Sequence, residues 1–218
     1  MQRYRLRMRL QLLLLVGSIA PSVDALADTR PSDQTVLAWL GSTEQVRLGQ
    51  GKPIWLASGE RAILMPAAFL DRGRNFSRGV ILVRPKLRSA QEIEGISGDQ
   101  FDTVRSKGGG PSLVAMDESA SGQGTIEGRM MLYTFDGWHP TTLLKTEYNS
   151  NLGYCGPPTQ FSCESTEVRW RFSDKNGTGV PDIVETKVVA SGPDPDRLVR
   201  KKMVTKYSYV SGQFHASK

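Results

Sequence analysis

The chain has 218 residues, of which 28 are Lys or Arg and 22 are Asp or Glu, giving a formal charge of +6. Four of those cations and one acid fall in the first 27 residues, so the remainder carries only +3. That bias is too mild for a nucleic-acid-binding domain, and the length left fits a single domain with a sizeable core.

Residues 1–27 predict a cleaved secretory signal. Arg3, Arg5, Arg7 and Arg9 form a basic start, Leu10–Ala20 an apolar stretch, and Ala25-Leu26-Ala27 a small-x-small cleavage site. The apolar stretch is well short of the roughly 20 residues that span a bilayer. No Cys follows it, so a lipid-anchored form is not expected. The expectation is a single β-rich domain over 28–218, periplasmic or secreted, with no transmembrane segment in the mature chain.

Along that domain, Asp33–Gly41 (DQTVLAWLG) has the length and spacing of one short helix, with Ser32 or Asp33 as its cap. Short β-type runs separated by Gly, Pro, Asn and Asp follow: PIWLAS, RAILMPAAF, RGVILVRP, SLVAMDES, GRMMLYTFDG, TTLLKTEY, TEVRWRF, DIVETKVVAS, KKMVTKYSYV and QFHAS. Runs such as GRMMLYTF alternate apolar and polar positions, as half-buried strands require. The regular turns predict an all-β antiparallel meander.

Two segments repeat. PSLVAMDESASG from Pro111 and PDIVETKVVASG from Pro181 superpose without a gap, and each leads into an aromatic strand, LYTFDGW or KYSYVSGQF. A fainter third copy precedes them. The expected organisation is therefore repeated three- or four-stranded units near 46–98, 99–150 and 164–218. They would be arranged as an incomplete propeller or as a sandwich.

The mature chain has two cysteines, Cys155 and Cys163, in YCGPPTQFSC. In an exported protein this spacing predicts a local disulfide, stabilising by roughly 2–3 kcal/mol on the chain-entropy model. It lacks both the Cys-x-x-Cys form of a redox pair and further partners for zinc.

Between TEVRWRF and DIVETKVV lies DKNGTGVPD. Asp174, Asn176, Thr178 and Asp182 offer oxygens at alternating places, with Val180 supplying a carbonyl and Gly179 the bend, the pattern of a calcium loop. Asn176-Gly177 is equally a strong hairpin-turn signal, with Asp174 capping the turn. The loop and its flanking strands resemble the FG-GAP (integrin-α-like, VCBS-type) repeat family, whose loops read D-x-[DN]-x-D-G-x-x-D before an apolar pair. The resemblance implies a β-propeller scaffold and calcium as the bound ion, with Asp174, Asn176, Thr178, Val180 and Asp182 as ligand positions. Thr178 stands where that family carries Asp, and the aligned first copy, VRSKGGGPS, lacks both end carboxylates.

Little else carries chemistry. His139 and His215 flank no nucleophile motif and form no zinc spacing. Gly108-Gly109-Gly110 is not followed by Lys-Ser/Thr or a helical pattern, so it is no phosphate cradle. No catalytic residues are assigned. Trp138 and Tyr154 fall at expected loop tips, where an aromatic serves as a contact residue or folds back over its hairpin. The sequence thus points to a non-enzymatic exported protein that binds through the loops of a β-scaffold. Its partner would be another protein, as an inhibitor or immunity protein has, or an envelope polymer. The alternatives are a cell-wall or glycan hydrolase with carboxylates not locatable in sequence, or a structural envelope component. The loop reading predicts that millimolar Ca2+ raises the melting temperature and that Asp174→Ala removes the rise; identical melts in calcium and in chelator would eliminate it.

Overall fold

The computed structural model describes residues 30–73, 77–98, 100–106, 108–157, 159, 161–173 and 179–217. It is all-β, with antiparallel sheets, one of them curled into a half-barrel. The N-terminal 27 residues expected to be a signal lie outside the described residues.

One helix opens the fold. Helix α1 (Asp33–Leu40) is capped by Ser32, whose Oγ accepts from Thr35 N–H at 3.2 Å. Gly41 closes it in the left-handed conformation, its N–H donating to the Leu37 carbonyl. Val36 is fully buried, and with Trp39 and Leu40 it packs on one face of the first sheet.

That sheet contains β1 (Val46–Leu48), β2 (Lys52–Trp55), β3 (Arg61–Phe69), β4 (Arg78–Arg84) and β5 (Ser89–Glu92), with β3 pairing to β1, β2 and β4. Its two faces are both covered. Met65, Phe69, Ile81 and Val83 meet the helix, while Ala62, Leu64, Val80 and Leu82 face the second sheet. Double burial explains why RAILMPAAF and GVILV are continuous apolar runs without alternation.

The second sheet is an uninterrupted meander of β6 (Gln100–Arg105), β7 (Ser112–Gly122), β8 (Thr125–Asp136), β9 (His139–Ser150), β10 (Cys163–Ser173), β11 (Asp182–Gly192), β12 (Val199–Val210) and β13 (Gln213–Ser217). Strand alternation divides its residues between two sides. Phe101, Val114, Met116, Met131, Tyr133 and Phe135 pack against the first sheet as a sandwich core. On the opposite side Leu113, Ala115, Leu132, Ile183 and Phe214 form a separate cluster. Phe214 on β13 reaching Leu113 on β7 requires the sheet to curl over itself, which is the half-barrel. A bulge on β9 supports that curl: Leu132 pairs Leu144 and Tyr133 pairs Thr142, leaving Leu143 as the extra residue. Both leucines contact the concave cluster.

The hairpins are fixed by turn chemistry. Gln123-Gly124 and Ser211-Gly212 hold positive φ at both central residues, the type I′ pattern matched to strand twist. Of the two arrangements expected from sequence, the structure shows face-to-face packing with a curled sheet rather than separate blades. The repeated segments occupy β7–β8 and β11–β12. Each falls within a four-stranded meander, β6–β9 or β10–β13. These two meanders join at a narrow seam, where β9 and β10 share one registered pair, Ser150 with Ser165.

Phe135 is fully buried at the sandwich interface. Phe135→Ala should therefore cost about 3–5 kcal/mol in a denaturant titration. Val204→Ala, on a side chain 61% exposed, should stay within about 0.5 kcal/mol of wild type. Equal midpoints for the two variants would contradict this division of core and surface.

Candidate functional site

The disulfide-stapled loop is the connection of β9 to β10, and it stands at a rim beside the hairpin of β7 and β8 and the turn before β12. Cys155 and Cys163 are bonded as expected. Asn151 holds the loop's ends together: its Nδ2 donates to the Ser162 carbonyl at 2.9 Å and its Oδ1 accepts from Glu164 N–H at 2.7 Å. The Asn151 N–H also donates to the Glu164 carbonyl. Gly153 N–H donates to Gly124 O, and a Cβ on Gly124 would lie only 2.4 Å from the Gly153 carbonyl oxygen. The loop is thus seated directly on the neighbouring hairpin, and Gly124 is required there for close approach.

On this fixed base two aromatic rings stack in solvent. Tyr154 and Phe161 have centroids 5.4 Å apart and are 49% and 54% exposed. Ile126 on β8 and Val199 on β12 are exposed as well. Tyr154 therefore sits where the sequence placed it, and Phe161 joins it.

Trp138 does not stand free at its turn. It folds back over its own hairpin and packs against the sandwich core, with the Arg84 guanidinium 5.0 Å above its ring. Arg84 is held there by a two-pronged pair with Glu60, and that hydrogen bonding raises the guanidinium pKa further. Trp138 is a cover for the core, and His139 beside it is exposed at the start of β9.

The concave side carries two acids that the sequence reading did not single out. Glu185 on β11 is buried and accepts from Thr146 Oγ1 at 2.5 Å, Trp170 Nε1 at 3.0 Å and Tyr207 OH at 3.5 Å. Asp117 on β7 accepts from Tyr148 OH, whose ring covers the Cα of Gly128. On the sandwich side Glu118 is also buried. It takes Arg129 Nε and Nη2 on one oxygen and Tyr133 OH, at 2.7 Å, on the other. A signal for Glu185 does exist in the sequence: in DIVETKVV it shares parity with the inward Ile183, so a charged residue occupies a core position.

Two open grooves border these groups. One, of about 840 Å³, is lined by Lys52, Phe101, Asp117, Met130, Trp170 and Phe172. The other, of about 660 Å³, includes Glu118, Arg129, Glu147 and Lys187. The three tyrosines act as donors, not bases. Burial first, then the bond to Asp117, pushes the Tyr148 phenol up to about 12. Burial likewise raises Tyr133 and Tyr207, each beside its own Glu.

Of the candidate calcium ligands, Asp174, Asn176 and Thr178 lie outside the described residues. Val180 is half-buried against the concave cluster. Asp182 opens β11 with its carboxylate buried, Oδ2 lying 2.7 Å from Lys206 Nζ; this is an ion pair by distance, without hydrogen-bond alignment. Among the described residues, no three His, Cys, Asp or Glu side chains cluster in a way that fits a metal ion. Asp174→Ala is consequently the cleaner test of the loop, since changing Asp182 also removes the partner of Lys206. No described helix is long and apolar enough to cross a membrane.

No family model, curated protein or solved structure matches this chain. The resemblance to FG-GAP repeats accordingly rests on the loop residues and their flanking strands.

A phenol whose pKa is raised on folding stabilises the folded state below its ordinary pKa and withdraws that contribution as the pH climbs through the folded value. Denaturant midpoints should therefore hold level up to pH 10.0 and fall as the pH approaches about 12, with Tyr148→Phe removing part of the fall. A wild-type midpoint that stays constant across that window would refute the assignment.

Proposed function

We propose that this chain is an exported, non-enzymatic binding protein that recognises another protein through its stapled rim loop, in the manner of an inhibitor or immunity protein. Export rests on the basic-apolar-small pattern of residues 1–27 together with the disulfide, a bond that persists in oxidising compartments.

The observation that carries the binding reading is the exposed Tyr154–Phe161 pair on a pre-ordered loop. Exposed aromatics are expensive to leave in water, and a loop already fixed by a disulfide and three Asn151 hydrogen bonds loses little further entropy on docking. Large rigid rings with this preorganisation are the residue class that dominates protein-interface energetics. The Tyr148–Asp117 pair inside the half-barrel and the Tyr133–Glu118 pair on the sandwich side are by contrast mutually engaged, and both tyrosines remain protonated donors at neutral pH.

The test compares wild type with the Tyr154→Ala, Phe161→Ala double variant as bait against secreted and envelope fractions. A stoichiometric protein partner should bind the wild type and bind the variant at least about 30-fold more weakly, the cost of losing one strong interface anchor. Melting temperatures of the two baits should agree, because both rings are half in solvent. The reading fails if both baits retain the same partners, or if purified protein alone releases sugar from cell-wall material.

A further inference from the structure

The second half of the half-barrel presents an outward face over which no described sheet or helix is layered. On β10, β11 and β12 the inward residues are Trp170, Phe172, Ile183, Tyr207 and Tyr209, all in contact with the concave cluster. Their neighbours in sequence point the other way. Strand register places Arg171 beside Val184 and Lys206, Arg169 beside Thr186 and Val204, Glu167 beside Val188 and Lys202, and Ser165 beside Ala190 and Arg200. None of these residues belongs to a core cluster.

The face has a definite charge pattern. The middle strand contributes Val184, Thr186 and Val188, a half-buried neutral strip, with Ala190 buried at its end. Cations flank it on both sides: Arg169 and Arg171 on β10, and Arg200, Lys202 and Lys206 on β12. Two are neutralised locally, Arg169 by Glu167 at 3.6 Å and Lys206 by Asp182 at 2.7 Å. Arg171, Arg200 and Lys202 are exposed and pair with no carboxylate among the described residues. From the Arg171 row to the Arg200 row the strip runs six residues, about 20 Å, and the flanking columns stand two strand spacings apart, about 10 Å.

We infer that this face is a docking track for a linear acidic polysaccharide lying along β11. Charge complementarity selects an anionic occupant, and the one-dimensional layout, a neutral strip with Arg171 on one side and Arg200 and Lys202 on the other, selects a chain over a globular surface. Every aromatic ring on these three strands faces inward, so the track has no platform on which nucleobases stack. It also lacks the aromatic anchors that centre a protein–protein interface. Val184 and Val188 on the strip, with Val204 beside it on β12, suit the C–H faces of sugar rings, while Arg171, Arg200 and Lys202 meet carboxylates that recur along the polymer. This track goes beyond the rim-loop reading, since the two share no residue and either can fail alone.

The probe is polygalacturonate, measured against the full protein in low salt, with neutral dextran, single-stranded oligodeoxynucleotide and polyglutamate as comparisons. Polygalacturonate should bind and dextran should not. Release of counterions from about three contacts should weaken binding roughly tenfold or more between about 50 and 200 mM salt. The variant Arg171→Ala, Arg200→Ala, Lys202→Ala should lose at least about tenfold in affinity. Its melting temperature should be unchanged, because all three side chains are exposed. Absence of polygalacturonate binding at low salt, equal binding by the triple variant, or tighter binding of the oligonucleotide or polyglutamate would each overturn the inference.

Discussion

The half-barrel depends on how its two meanders are joined. Strands β9 and β10 share a single registered backbone pair, Ser150 with Ser165, whereas every other neighbouring pair in that sheet is zipped over five residues or more. Side chains replace the missing ladder. Glu185 stands on β11 and takes hydrogen bonds from Thr146 on β9, Trp170 on β10 and Tyr207 on β12. One carboxylate therefore ties four strands across the seam, and the disulfide loop closes the seam's upper end. Burying a carboxylate costs several kcal/mol when it is unpaired, but hydrogen bonds to a charged acceptor return roughly 1.5–3 kcal/mol each. Three neutral donors satisfy the two carboxylate oxygens, and an apolar residue at 185 would leave the Trp170 and Thr146 donors without their acceptor.

That arrangement determines what the sheet shows to solvent. Because the seam and the bulge at Leu143 let the meander curl, the inward positions of β10–β13 bury their rings against Leu113 and Leu132. The outward positions from Val184 to Val188 on β11 and from Arg200 to Lys206 on β12 have no described sheet or helix layered over them. The first meander differs, since its outward side is roofed by the five-stranded sheet and its helix. Thus β7 and β8 have buried residues on both sides, while β12 is at most half-buried, at Tyr207 and Tyr209 on its inward side. The copy without a roof carries Lys and Arg on its outer side, and the roofed copy carries Val114, Met116 and Tyr133 there.

Much of this was legible in residues. The cap at Ser32, the disulfide, and the strands of the two similar segments all follow from local signals of turn, spacing and alternation. Three short strands were not: Val46–Leu48, Ser89–Glu92 and Gln100–Arg105 have too few residues to show a period, and pairing partners alone make them strands. Trp138 was legible only as a choice between solvent and its own hairpin, because the deciding partner, Arg84, lies far away in sequence and is oriented by Glu60. The pair of Glu118 with Arg129 was hidden in a similar way. Its cross-strand register depends on the two-residue Gln123-Gly124 turn, which places those side chains directly opposite.

Glu185 shows where reading a strand by its apolar residues falls short. Parity assigned it inward, beside Ile183, and an acid at an inward position is a conflict between local pattern and burial. Such conflicts mark places where a fold depends on a specific polar network, because an unsatisfied acid there would be costly. Superposing Pro111 on Pro181 sharpens the point. The residue of the first copy that aligns with Glu185 is Ala115, itself in the concave cluster. In the first copy that place is filled by a methyl group beneath a zipped ladder, and in the second by a carboxylate across an open seam. That carboxylate stands where β9 and β10 share one registered pair, so its hydrogen bonds tie strands that the ladder leaves apart, and the rim loop and the basic face are the surfaces that the curl leaves outside.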